Sequence, residues 1–134
     1  MIEYVVKKHT YRQIGDKEAK TVFVAKLDEK TILDTEELCQ RVADCSTLAK
    51  PEMRLAIDMA CDMIIEALKG GRSVRFGELG VFHPTINAVA QEKKEDVTVQ
   101  TIKKITCAFR MSNKLKKTLN NLHLRKIVPP NSEE

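Results

Sequence analysis

The stretch Gly70-Gly71-Arg72-Ser73-Val74-Arg75-Phe76-Gly77-Glu78-Leu79-Gly80-Val81-Phe82 constrains the fold more than any other part of the chain. A long amphipathic helical pattern stops at the glycine pair, and a strand, a tight turn and a second strand follow. Val74 and Phe76 alternate with Ser73 and Arg75, so one face of the first strand is apolar and the other polar or basic. Gly77 and Gly80 bracket the turn, where positive φ or close backbone approach is expected. A helical hairpin feeding such a ribbon predicts a small binding module. An enzyme needs convergent reactive groups, and none is visible here.

At 134 residues the chain predicts one domain, with room for an added segment. Only 4% of the residues are aromatic and none is Trp, so the core must rest on Leu, Ile, Val, Met and Ala. No apolar run reaches the roughly 18 residues that would suggest a membrane helix. The N-terminus lacks the charged-then-apolar order of a signal peptide, so a cytoplasmic protein is expected. Cys39, Cys45, Cys61 and Cys107 form no CxxC and have no His at metal-ligand spacing, so buried free thiols are expected and a metal site is not. His9, His83 and His123 are isolated from evident partners and suit surface or packing roles. No nucleophile elbow or Walker-type loop occurs. Gly77-Glu78-Leu79-Gly80 joins strand to strand, whereas a phosphate loop needs a helix N-terminus after it. No catalysis, cofactor or small-molecule substrate is expected.

Net charge is only +4, but it is unevenly spread. Residues 34–70 carry eight acids against four bases, a net of −4. Residues 71–110 and residues 111–134 each carry +3. The helical half is therefore acidic and the β-rich half basic. On charge alone, a polyanion held on one side and ordinary variation of a solvated surface account for this equally well.

Residues 2–11 alternate as a strand, residues 12–20 read as a loop, and Thr21–Ala25 as a second strand, giving either an N-terminal hairpin or two separate edge strands. Asp34 or Thr35 is the N-cap of a first helix ending near Cys45, with Glu36 and Glu37 in its first turn. A second helix starts around Pro51 and closes at Gly70 as C′. Its stripe runs Met53, Ala56, Ile57, Ala60, Met63, Ile64, Ala67 and Leu68, with Leu55, Met59 and Ile65 off the stripe. Apolar groups so far round the helix predict two covered sides, the second against another subunit. Strands follow at 72–76 and 81–89, then a charged tip at Gln91–Asp96. Alternation returns at 97–102 and continues at 105–109. A short helix at 113–120, a last strand at 124–128 and a fraying tail complete the order.

Gly80-Val81-Phe82 after the glycine turn, then Phe109 and Lys114-Leu115-Lys116, carry a resemblance. In this order and spacing they resemble the bacterial histone-like HU/IHF DNA-binding family over about residues 34–122. The N-terminal strands and Arg72-Ser73-Val74-Arg75-Phe76-Gly77 resemble its divergent HU-related branch, as in Bacteroidetes. The resemblance implies an α+β fold and an obligate intertwined homodimer. A helical-hairpin base would carry a β-sheet saddle and a protruding β-arm, with the N-terminal strands added. It divides the chain into a strand-rich extension at 1–33, an HU/IHF-like DNA-binding domain at 34–128 and a flexible tail at 129–134. The N-terminal strands are expected to pair with Leu124–Val128 and lengthen the sheet.

The implied function is non-sequence-specific or weakly specific binding of duplex DNA by an architectural protein of the nucleoid, without a membrane partner. Phosphate contacts need cations on a surface that follows the backbone. The candidates are Arg75, Lys93, Lys94, Lys103, Lys104, Arg110, Lys114, Lys116 and Lys117. The family's arm ends in a proline that wedges between base pairs. This arm, roughly Pro84 to Lys103, has no proline at its tip and nearly neutral charge, and Pro84 at its base suits an edge or bend. The alternative is a protein-interaction or scaffold module on the same fold, with weak DNA bending or none.

Overall fold

A computed structural model describes residues 1–15 and 17–128. The expected tail at 129–134, and Asp16 of the first loop, lie outside the described residues. The described residues form two compact units, one of residues 1–32 and 119–128, the other of residues 33–118.

In the first unit, β1 (Ile2–Tyr11) and β2 (Lys20–Leu27) form an antiparallel hairpin, and β6 (Leu124–Lys126) adds to β1 in parallel. The strand order is β2-β1-β6. The expected pairing with the C-terminal strand is therefore found. It makes a sheet of its own, however, and does not lengthen the ribbon's sheet. Beside it, Lys30 Nζ lies 2.8 Å from Glu3 Oε2 and 2.7 Å from Asp28 Oδ2, and Arg125 reaches Glu3 at 3.3 Å. Lys30 ties the chain leaving β2 back to β1.

The second unit begins with α1 (Thr35–Asp44) and α2 (Lys50–Lys69), packed as a hairpin. Asp34 is the N-cap of α1, accepting from the Glu37 N–H at 2.8 Å. Pro51 stands in the first turn of α2, where its missing N–H does no harm. The helix stops in a Schellman arrangement one residue later than expected. Gly70 has an ordinary φ of −78°, whereas Gly71 takes the left-handed C′ position at +79°. The Arg72 N–H reaches back to the Ala67 carbonyl at 3.1 Å and that of Gly71 to Leu68 at 3.0 Å.

Beyond the glycines, β3 (Val74–Phe76), β4 (Gly80–Ala88) and β5 (Ile102–Met111) form an antiparallel sheet in that order. β3 reaches only Gly80 to Phe82 of β4. From Pro84 onward β4 has one neighbour, so a proline without an N–H is tolerated there. Val97–Thr101 is not strand, contrary to the alternation. Lys94–Asp96 and Val99–Thr101 are single 3₁₀ turns, and the Val89 N–H bonds the Thr101 carbonyl at 2.9 Å. Strand geometry needs a ladder partner. β4 ends at Ala88, so the alternating valines have nothing to pair with. α3 (Asn113–Asn120) follows β5.

Little of this chain is covered. Val5 and Cys39 are the only buried apolar side chains among the described residues. The accessible surface is 12083 Å². A folded monomer of this mass would expose about 7,100 Å², and two separate bodies of these sizes about 8,500 Å². On α2, Met53, Ile57, Ala60, Ile64, Ala67 and Leu68 are half-buried, while Leu55, Met59, Met63 and Ile65 stay exposed. Cys45, Cys61 and Cys107 are exposed free thiols, against the expectation of burial. The thiols were expected to sit in a core, and the single chain has hardly any.

Because the Lys30 hydrogen bond and charge pull the Glu3 pKa below the ordinary carboxylate range, the pair stabilises the fold above that range. Its contribution is lost as pH falls through the lowered value. Hydrogen bonds from Lys30 to Asp28 and Glu3 raise the lysine's own pKa, so the contribution persists below the ordinary lysine range and disappears above the raised value. Urea titrations across pH should find Lys30→Ala less stable than the parent at neutral pH, with the two curves merging in acid.

Candidate nucleic-acid interface

Cross-strand register sorts the β3-β4-β5 sheet into two chemical faces. Arg75 opposes Val81, and Val81 opposes Arg110, so the three form one row on one face. His83, Thr85 and Asn87 of β4, with Ala108, Thr106 and Lys104 of β5, continue that face toward the arm. The other face carries Val74, Phe76, Phe82, Pro84, Ile86, Phe109, Cys107 and Ile105. The Phe82 and Phe109 rings lie 5.2 Å apart at 47°. Ile65 and Leu68 of α2 line a cleft with Pro84, Ile105 and Cys107, so the apolar face is the one turned to the helix.

Polar side chains on the first face bond one another. Ser73 Oγ lies 2.8 Å from His83 Nδ1, and the hydroxyls of Thr85 and Thr106 are 2.7 Å apart. His83 therefore has a partner, contrary to the expectation from sequence. Ser73 shares a face with Arg75 by alternation, and His83 follows two residues after Val81. The contact was thus legible once the register was known, and not before.

The glycine turn fixes where α3 starts. The Ser112 N–H donates to the Leu79 carbonyl at 2.9 Å, and its hydroxyl donates to the Glu78 carbonyl. The same hydroxyl accepts from the Leu115 N–H at 3.1 Å, so Ser112 caps α3. Lys114 forms an ion pair with Glu78. Gly77 has a φ of +54°. At Gly80 the constraint is space: a Cβ there would overlap the Arg110 carbonyl oxygen and lie 2.9 Å from the Phe109 ring. The result is a shallow concavity lined by Arg75, Gly80, Val81, Arg110, Ser112 and Asn113. Arg75 and Arg110 line it together with Ser112 and Asn113 at the start of α3. The serine cap was not anticipated from the sequence, although Ser before Asn-Lys-Leu-Lys is an ordinary helix start.

The nine candidate cations divide by position. Arg75, Arg110 and Lys104 share the polar face. Lys103 sits in a register break, since Asn87 opposes Lys104 and Ala88 opposes Ile102. Lys93 and Lys94 lie at the arm tip among Glu92, Glu95 and Asp96. Lys114, Lys116 and Lys117 are on α3. All nine side chains are exposed. Among the described residues only Lys114 of this set makes an ion pair.

A sequence model of the HU-HIG family, described as an HU domain fused to wHTH, Ig or a glycine-rich motif, matches residues 1–126. The chain belongs to the HU-HIG family. The match includes the N-terminal strands as well as the helical hairpin and ribbon. The fold is also that of a crystal structure from Bacteroides vulgatus ATCC 8482, a protein provisionally assigned as a bacterial DNA-binding protein. The TM-score is 0.68 at 17% identity, over 98% of this chain and 51% of the other. The present chain thus spans about half the length of that neighbour. No curated protein matches it.

Replacing Gly80 with Ala should destabilise the HU-HIG chain by about 2 kcal/mol or more, because a backbone carbonyl cannot move aside as a flexible side chain could. Ser112→Ala, which only removes a cap, should cost about 1 kcal/mol. Denaturant midpoints of the two variants against the parent check the order.

Proposed function

We propose that this chain is a DNA-binding architectural protein of the nucleoid, acting in the cytoplasm as an intertwined homodimer with little sequence preference. The observation that carries the reading is the Arg75–Val81–Arg110 row. It puts two cations, without ion-pair partners among the described residues, on the sheet face opposite the apolar one. Phosphates of a duplex following that face would meet Arg75, Arg110 and the start of α3 in turn. Lys104, Lys116 and Lys117 extend the contact, and Lys103, Lys93 and Lys94 continue it along the arm. Such contacts fix register on the backbone and read no bases. The work assigned to the site is binding, with no reaction and no cofactor.

The scarcity of buried side chains supports the dimer. The chain exposes about 3,600 Å² more than two separate folded bodies of its size would, several times the roughly 800 Å² per partner of an ordinary interface. Exposed Leu55, Met59, Met63 and Ile65 on α2, with Ile86 and Ile105 at the arm's base, are the surfaces a second chain would cover. A sedimentation mass of one chain at micromolar concentration would overturn this part.

The arm favours a second reading. Its tip holds three acids against two lysines, and Val99 is 83% exposed without a proline beside it. A scaffold module that binds another protein would use such a tip, and nuclease-treated pull-downs that retain a stoichiometric protein partner would support it.

Counterion release makes phosphate binding fall linearly in log K against log salt. Anisotropy titrations on a short duplex at several salt concentrations should give a steep slope. Arg75→Ala and Arg110→Ala should each flatten it by about one unit and weaken binding on unrelated sequences alike. Lys114→Ala should change it less, because Glu78 already holds that charge. No binding at low salt would rule the reading out.

A further inference from the structure

Among the described residues, the N-terminal sheet leaves β2 open along its whole outer edge, and β1 open beyond Tyr4 on the other side. The hydrogen-bond parity of the β2 edge is fixed by observed contacts. The Asp28 N–H donates to the Glu3 carbonyl at 3.0 Å. On the other side of β1, the Ile2 N–H bonds the His123 carbonyl and the Ile127 N–H bonds the Tyr4 carbonyl, both at 2.9 Å. Odd-numbered residues of β1 therefore face β2, and even-numbered ones face β6. With Val5 opposite Lys26 and Lys7 opposite Val24, the residues of β2 that bond β1 are Lys20, Val22, Val24 and Lys26. The N–H and C=O groups of Thr21, Phe23, Ala25 and Leu27 point away from β1. They meet no backbone partner among the described residues.

Only Lys20 and Lys26 blunt this edge. Proteins usually protect a free edge with proline, a bulge or an inward charge. Lys20–Leu27 has no Pro or Gly, its register with β1 is unbroken, and all eight residues are exposed. Phe23 is 71% and Leu27 63% exposed. Both lie on the sheet face that also carries Ile2, Tyr4, Val6 and Leu124.

We propose that β2 pairs antiparallel with β2 of a second copy of this chain, about a two-fold axis at Val24. Two three-stranded sheets would become one of six strands. A two-fold antiparallel pair places some residue opposite itself, and the charges select which. An axis at Phe23 sets Lys20 against Lys26 of the other copy, twice. One at Ala25 sets Lys20 against Lys30. An axis at Val24 sets Lys20 against Asp28 at both ends and has no like charges opposed. In that register Thr21 meets Leu27 and Phe23 meets Ala25, which are the residues with outward-facing groups. Four hydrogen-bonded pairs give about eight N–H···O=C bonds. The apolar stripe of Phe23, Ala25 and Leu27 becomes continuous across the join. This contact is separate from the helix and saddle surfaces of the proposed dimer and does not rest on DNA binding. It would link one such assembly to the next.

The test is the sedimentation mass of the full chain without DNA, compared among variants. Ala25→Pro removes an N–H that β1 does not use, so the hairpin keeps its own ladder. Val24→Lys sets like charges face to face on the axis. Both should halve the assembly mass of the parent while leaving its circular dichroism and DNA affinity per chain unchanged. Val24→Cys should also form a disulfide with itself under mild oxidation, found by peptide mapping. Residues opposed in a non-hydrogen-bonded pair have Cα atoms about 4.5 Å apart, within disulfide reach. Thr21→Cys, opposite Leu27, should not crosslink to itself. Unchanged mass in both folded variants, or no 24–24 crosslink, overturns the proposal, whatever other strand the edge then binds.

Discussion

The close seat of Gly80 against the Arg110 carbonyl is the joint on which the second unit depends. Any side chain there would push β4 and β5 apart. With it in place, Val81 lies between Arg75 and Arg110, and Ser112 can reach the Leu79 and Glu78 carbonyls. The same few atoms thus set the register of the sheet, the start of α3 and the spacing of the two arginines. Alternation does the rest. Once this row faces one way, Phe82 and Phe109 must face the other.

A second constraint acts on the whole chain. With two buried apolar side chains among its described residues, it cannot balance the conformational entropy of folding from its own core. On the proposed reading, partner surface is part of its stability and not an addition to a finished monomer. That view unites the exposed side of α2, the exposed thiols and the open strand edge. Each is ordinary if another chain covers it.

Much of this was legible in the sequence, and the failures have physical reasons. The Asp34 cap, the Pro51 start and the two-faced ribbon after Gly71 are local. Local chemistry decides them. Residues 97–101 alternate like a strand yet form none, and 99–101 make a 3₁₀ turn, because alternation says nothing about whether a ladder partner is present. The contact of His83 with Ser73 and the capping role of Ser112 depend on register across the turn, which no single segment carries. Cysteine burial was misjudged because residue type and helical spacing mark an apolar face but do not say whether this chain covers it. Arg75 and Arg110 were recognisable as cations, but their sharing of one row required the strand pairing.

The central claim is that the polar face of the β3-β4-β5 sheet meets the duplex. Amide chemical-shift mapping on addition of a short duplex tests it most directly. The account predicts shifts concentrated at Arg75, Val81, His83, Lys104, Arg110 and residues 112–117, with α1 and the acidic side of α2 unmoved. Shifts confined to the helices or to the N-terminal sheet, with the Arg75–Arg110 row silent, would contradict it.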